Sequence, residues 1–168
     1  VDTNASTDVG MAKASFTQAL AEGEVMTLRF VTVESAGGFS FFGRAGISLY
    51  ESGNEQVFMG GLGVFPVEWG IGGSAIGSSQ AFSTSITAEP QTAVFEYTFD
   101  TGDWSFDVAG QTLNGTATAE LAFNEVGIDS ESNADIAVSS IDVTMTPEPA
   151  TMSLLALGGV AMLRRRKH

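Results

Sequence analysis

The stretch AVFEYTFDTGDWSFDVAG, Ala93 to Gly110, decides how the rest of the chain is read. Ala93, Phe95, Tyr97 and Phe99 alternate with Val94, Glu96 and Thr98. A turn at Asp100-Thr101-Gly102-Asp103 follows, and then Trp104, Phe106 and Val108 alternate again. A period of two sends successive side chains to opposite faces of a strand, and a short turn of Asp and Gly between two such runs signals a hairpin. Both arms carry their aromatic rings on one face, so one side of the hairpin is expected to lie on a core.

The same period extends outward in both directions. In EVMTLRFVTVE, Glu24 to Glu34, Met26, Leu28 and Phe30 share a face, and the β-branched flanks argue against a helix. FSFFGRAGISLYE, Phe39 to Glu51, aligns Phe41, Gly43, Ala45, Ile47 and Leu49. AFSTSITA, TATAELAFNEVGID and ADIAVSSIDVTM, starting at Ala81, Thr116 and Ala134, supply further strands. By contrast GGLGVFPVEWGIGGSAIGSSQ, Gly60 to Gln80, is rich in glycine with no clean period, and reads as long loops with strand fragments. No helical period stands before Pro147. About eight to ten short strands with glycine-rich turns predict an all-β fold, an antiparallel sandwich or barrel. The expected organisation is a polar leader over 1–12, a β-domain over 13–146 and a distinct tail over 147–168.

Composition narrows the function. The chain is 43% hydrophobic and 16% charged, with 20 glycines and no cysteine, which excludes disulfides and thiolate metal sites. Its net charge of -13 understates the acidity of the body. Arg164, Arg165, Arg166 and Lys167 lie in the tail, leaving nineteen acids against Lys13, Arg29 and Arg44 before Pro147, a net -16. Such a body repels phosphate backbones, so a nucleic acid is not an expected partner.

The tail is PEPATMSLLALGGVAMLRRRKH. Ala150 to Leu163 has only Thr151 and Ser153 as polar residues and would span about 21 Å as a helix, short of the roughly 30 Å of a bilayer core. The segment is apolar all round, which favours the membrane over a core helix, and the basic end would be retained on the cytoplasmic side. Pro147-Glu148-Pro149, a short apolar helix and Arg164-Arg165-Arg166 in that order resemble the PEP-CTERM sorting signal. The resemblance implies export, transient anchoring by residues 150–163, and processing by exosortase, with delivery to the cell surface or an extracellular matrix. The strand order from Ala93 to Met145, with a closing strand over Ile136 to Val143, also resembles concanavalin A-like jelly rolls. That likeness implies a jelly-roll sandwich.

Two candidate sites stand out in the body. Asp129, Glu131, Asn133 and Asp135 place oxygen-bearing side chains at alternate positions, as a calcium loop does, although Ala134 stands where such a loop wants glycine. An ordinary solvated turn is the alternative. Phe65 and Trp69 in the glycine-rich segment offer a stacking platform for a sugar, and the alternative is a place in the core. His168, the only histidine, lies in the tail, so no histidine triad is available to the body, and no enzyme is expected. The expected function is an exported structural or adhesive surface protein, with exopolysaccharide or a second copy as partner. The competing expectation is a carbohydrate-binding module, with or without calcium, and a glycan-active enzyme is the remote third.

Overall fold

A computed structural model of the chain describes residues 10–33, 44–62, 68–86, 89–130 and 136–148. Eleven strands make up the described part: β1 (Gly10–Ser15), β2 (Glu24–Val33), β3 (Ala45–Glu51), β4 (Asn54–Leu62), β5 (Glu68–Gly72), β6 (Gln80–Ser85), β7 (Gln91–Thr98), β8 (Asp103–Val108), β9 (Gln111–Thr116), β10 (Glu125–Ser130) and β11 (Ala137–Pro147). They form a six-stranded sheet in the order β1-β10-β3-β4-β5-β6 and a five-stranded sheet in the order β11-β2-β7-β8-β9, with antiparallel pairing throughout. The chain crosses between the sheets repeatedly, so β10 lies between β1 and β3, and β2 between β11 and β7. Of the sandwich or barrel that the alternation predicts, this is the sandwich, in the jelly-roll form that the resemblance implies.

The hairpin that opens the reading is β7–β8. Ala93 faces Val108, Phe95 faces Phe106 and Tyr97 faces Trp104 across the pair. Phe95 and Phe106 are fully buried, and Glu96 is exposed. Met26, Leu28 and Phe30 of β2 join them from the same sheet, and Ile47, Leu49, Val57, Met59, Trp69, Ile71 and Phe82 close the core from the other. The Phe106 ring meets Phe82 at 5.5 Å and Trp69 at 6.2 Å, edge to face with the latter. Such contacts contribute about 0.5–1.5 kcal/mol beyond the area they bury.

Three sequence expectations change. Trp69 is not a loop platform: it is completely buried on β5, 6.0 Å from Phe30, and its Nε1–H donates to Gln91 Oε1 at 3.0 Å. The segment read as long loops is the far side of the six-stranded sheet, because β4 continues to Leu62 and β5 spans Glu68–Gly72. Its period of two was hidden because the outward positions are glycines. Trp69 and Ile71 point inward while Gly70 and Gly72 alternate with them. Finally, β1 starts at Gly10, inside the stretch read as a leader. Residue 65, residues 131–135 and the apolar tail fall outside the described residues, and so does the expected C-terminal helix. No helix among the described residues is long and apolar enough to cross a membrane.

Candidate functional site

The outward face of the six-stranded sheet is unlike an ordinary solvent-facing surface. Alternation in β3 sends Ile47 and Leu49 inward and Gly46, Ser48 and Tyr50 outward, yet all five are buried. Phe58 of β4 is likewise outward and only 1% exposed. From β10, Asp129 joins this layer, also 1% exposed. A polar residue buried this deeply needs partners, and the register provides them.

Tyr50 lies opposite Glu125 on β10, but its hydroxyl donates to Asp129 Oδ2, four residues along, at 2.7 Å. The ring crosses Gly127 to get there. A Cβ at Gly127 would lie 2.9 Å from Tyr50 Cε2, so the glycine is what lets the ring lie flat on β10. On the opposite side, Lys13 Nζ of β1 sits 3.4 Å from the centre of the same ring, a cation–π contact. Ser48 Oγ is 2.5 Å from Asp129 Oδ2 and 2.8 Å from Glu55 Oε2, so a single hydroxyl proton serves two carboxylates.

Arg44, just before β3, completes the arrangement. It reaches Glu55 with both terminal nitrogens, at 2.7 and 2.6 Å, and its Nη2 lies 3.7 Å from Asp129 Oδ2. Its guanidinium also lies 4.6 Å from the centre of the Phe58 ring. Stacking plus a bidentate fork fixes this side chain in a way a lysine would not be fixed. Two of the three cations of a strongly acidic body therefore converge on one face. Arg44 and Glu55 are the open part, with side chains 28% and 22% exposed. Asp129 Oδ1 is buried and has no hydrogen-bond partner among the described residues.

The electrostatics follow from this packing. Burial, reinforced by the Asp129 carboxylate it donates to, pushes the Tyr50 hydroxyl far above the ordinary phenol range. Tyr97, in the core, is also raised by burial, against the opposing effect of the Leu121 N–H that it accepts at 3.0 Å.

Of the expected calcium set, only Asp129 lies among the described residues, and its Oδ2 is committed to Ser48 and Tyr50. Glu131, Asn133 and Asp135 lie outside them. Among the described residues no group of three or more His, Cys, Asp or Glu could hold a metal. The acids of the hairpin turn have partners of their own: Asp100 Oδ1 accepts from Gly23 N–H at 2.9 Å, and Asp103 Oδ1 from Thr116 Oγ at 2.8 Å. Of the stacking pair, Trp69 is in the core and Phe65 is outside the described residues.

The residues that do converge, Lys13, Arg44, Ser48, Tyr50, Glu55 and Phe58, were not singled out by their sequence. One signal was available. GISLYE puts Ser48 and Tyr50 on the alternate positions of a strand beginning one residue after Arg44, one of only three bases in the body.

Comparison with known proteins bears on the C-terminal tail and on the fold of the body. The model of the PEP-CTERM protein-sorting motif matches residues 146–167. That signal implies export, transient membrane anchoring and processing by exosortase. No curated protein sequence matches the chain. Among solved structures, the globular domain of T. cruzi calreticulin aligns with 96% of this chain and 78% of its own at 10% identity, with a TM-score of 0.58. A toad ovary galectin, solved as a complex with thio-digalactose, aligns with 80% of this chain and 98% of its own at 14% identity and a TM-score of 0.51. At these identities the likeness is one of fold, a lectin-like jelly roll.

Proposed function

We propose that the chain is an exported adhesive module that binds a neutral glycan at Arg44 and Glu55 on the outward face of the six-stranded sheet. One observation carries the reading: a partly exposed, planar pair of donor and acceptor is held between the start of β3 and β4, with its guanidinium over Phe58 and its carboxylate backed by Ser48, which also contacts Asp129. Adjacent sugar hydroxyls both donate and accept, and pre-oriented guanidinium and carboxylate groups match them at little cost in entropy. The net -16 of the body disfavours an acidic polysaccharide, which leaves neutral sugars as the matching class. A galectin of the same fold holds thio-digalactose, a fold-level analogy that supports the reading without carrying it. Glu55 and Asp129 are tied to Arg44, Ser48 and Tyr50, an arrangement suited to binding more than to proton transfer.

The test is a glycan array probed with the full chain in detergent micelles, with calcium and with chelator. Binding that persists with chelator and falls at least tenfold in Arg44→Ala and Glu55→Gln, with unchanged near-UV circular dichroism, is the expected result. No binding to any neutral glycan by a self-associating chain would overturn the reading in favour of a purely structural role. Binding that needs calcium and survives Arg44→Ala would move the site to residues 129–135.

A further inference from the structure

No linker separates the sandwich from its sorting signal. The matched signal begins at residue 146, whereas β11 runs to Pro147. Pro147 lies opposite Glu24 at the start of β2, and the Glu148 N–H donates to Gly23 O at 2.8 Å. Those acceptors are themselves pinned. Gly23 N–H is held by Asp100 of the β7–β8 turn, the Glu24 carbonyl accepts from Phe99 N–H at 3.1 Å, and the Glu24 carboxylate accepts from Ala21 N–H at 3.0 Å. The first two residues of Pro-Glu-Pro are thus part of the sandwich, paired with the start of β2. Glu148 Oε1 is also buried, without a hydrogen-bond partner among the described residues.

From Glu148 the apolar run at Ala150 is two residues away, a reach of about 7 Å at full extension. The signal cannot be presented to a membrane enzyme at a distance from the body. A protease that reads an extended peptide needs its backbone edges and side chains free, and here one edge is already paired with β2.

We propose that the sandwich competes with exosortase for the sorting signal: Pro147 and Glu148 are held on the Gly23–Glu24 corner, and the signal becomes readable when the end of β11 peels away. Strand ends open locally far more readily than a domain unfolds, so the competition slows processing without preventing it. The apparent affinity of the enzyme falls by the fraction of chains that are open. This inference rests on residues 146–167 acting as a processed signal.

The experiment compares the full chain with a variant carrying six Gly-Ser residues inserted between Thr146 and Pro147, each expressed in an exosortase-bearing host and followed by intact mass. Loss of one net hydrogen bond corresponds to a rise of about fivefold in initial cleavage rate for the spacer variant. Asp100→Ala, which unpins Gly23, is expected to give a smaller rise. In parallel, amide exchange of the uncut chain in micelles is expected to show Glu148 N–H protected in the parent and unprotected in the spacer variant. Equal cleavage rates, or a Glu148 amide that exchanges at the random-coil rate in the parent, would overturn the proposal. Absence of cleavage in both chains overturns the processing reading itself, and Glu148 protection in the same sample still decides whether the sheet holds the motif.

Discussion

Raising the pH tests the buried polar layer more directly than any substitution. The chain has two tyrosines, Tyr50 and Tyr97, and both are buried and raised above the ordinary phenol value of 10.0. A group whose proton is held more tightly in the folded state stabilises the fold fully below its unfolded pKa, and that stability is lost as pH climbs toward the folded pKa. For a phenol the window opens near pH 10. Each tyrosine still protonated in the fold then subtracts about 1.4 kcal/mol per pH unit, or roughly 2 kcal/mol by pH 11.5. For Tyr50 alone that is a sizeable share of a typical stability of about 5–15 kcal/mol, and Tyr97 acts in the same direction. The assay is tyrosinate absorbance near 295 nm followed together with near-UV circular dichroism. Both tyrosinate signals are expected to emerge with the loss of tertiary structure, in one alkaline transition, and Tyr50→Phe is expected to reduce the tyrosine-linked slope. Ionisation of either phenol near pH 10 while the circular dichroism stays native would refute the account of the Tyr50–Asp129 contact or of the Tyr97 core.

Two further outcomes follow from packing. Gly127→Ala drives a Cβ into the Tyr50 ring and against Lys13, and is expected to cost about 1–3 kcal/mol in urea unfolding and to lower the pH at which Tyr50 ionises. Trp69→Ala empties a fully buried site between Phe30 and Phe106 and is expected to cost about 3–5 kcal/mol, whereas Trp69→Phe costs less and leaves any glycan binding intact; a specific loss of binding in Trp69→Phe would restore the platform reading.

Much of the fold is legible because alternation is local. The faces of β2, β7 and β8 follow from side chains two residues apart, and Met26, Leu28, Phe30, Phe95 and Phe106 sit where that count places them. The reading failed where glycine removed one half of the pattern. At Trp69-Gly70-Ile71-Gly72 the alternation is complete, but its outward half has no side chains, so composition suggested loop. At Gly60, the first residue of that glycine-rich segment, the neighbouring strand requires glycine: a Cβ would lie 2.6 Å from the Gly46 Cα on β3.

The sequence by itself determined the class of fold, the inward faces of its strands and the sorting signal, because each is written in contiguous residues. It also determined that the body is acidic and offers few cations to pair. Which cations meet which acids was decided by the tertiary structure alone. Ser48 and Asp129 are 81 residues apart and meet because β10 enters the sheet between β1 and β3. The same sheet order brings Lys13, Arg44 and Glu55 to that face, and the order of the five-stranded sheet places the end of β11 against Gly23. No local pattern encodes such contacts, since they arise from strand pairing between distant parts of the chain.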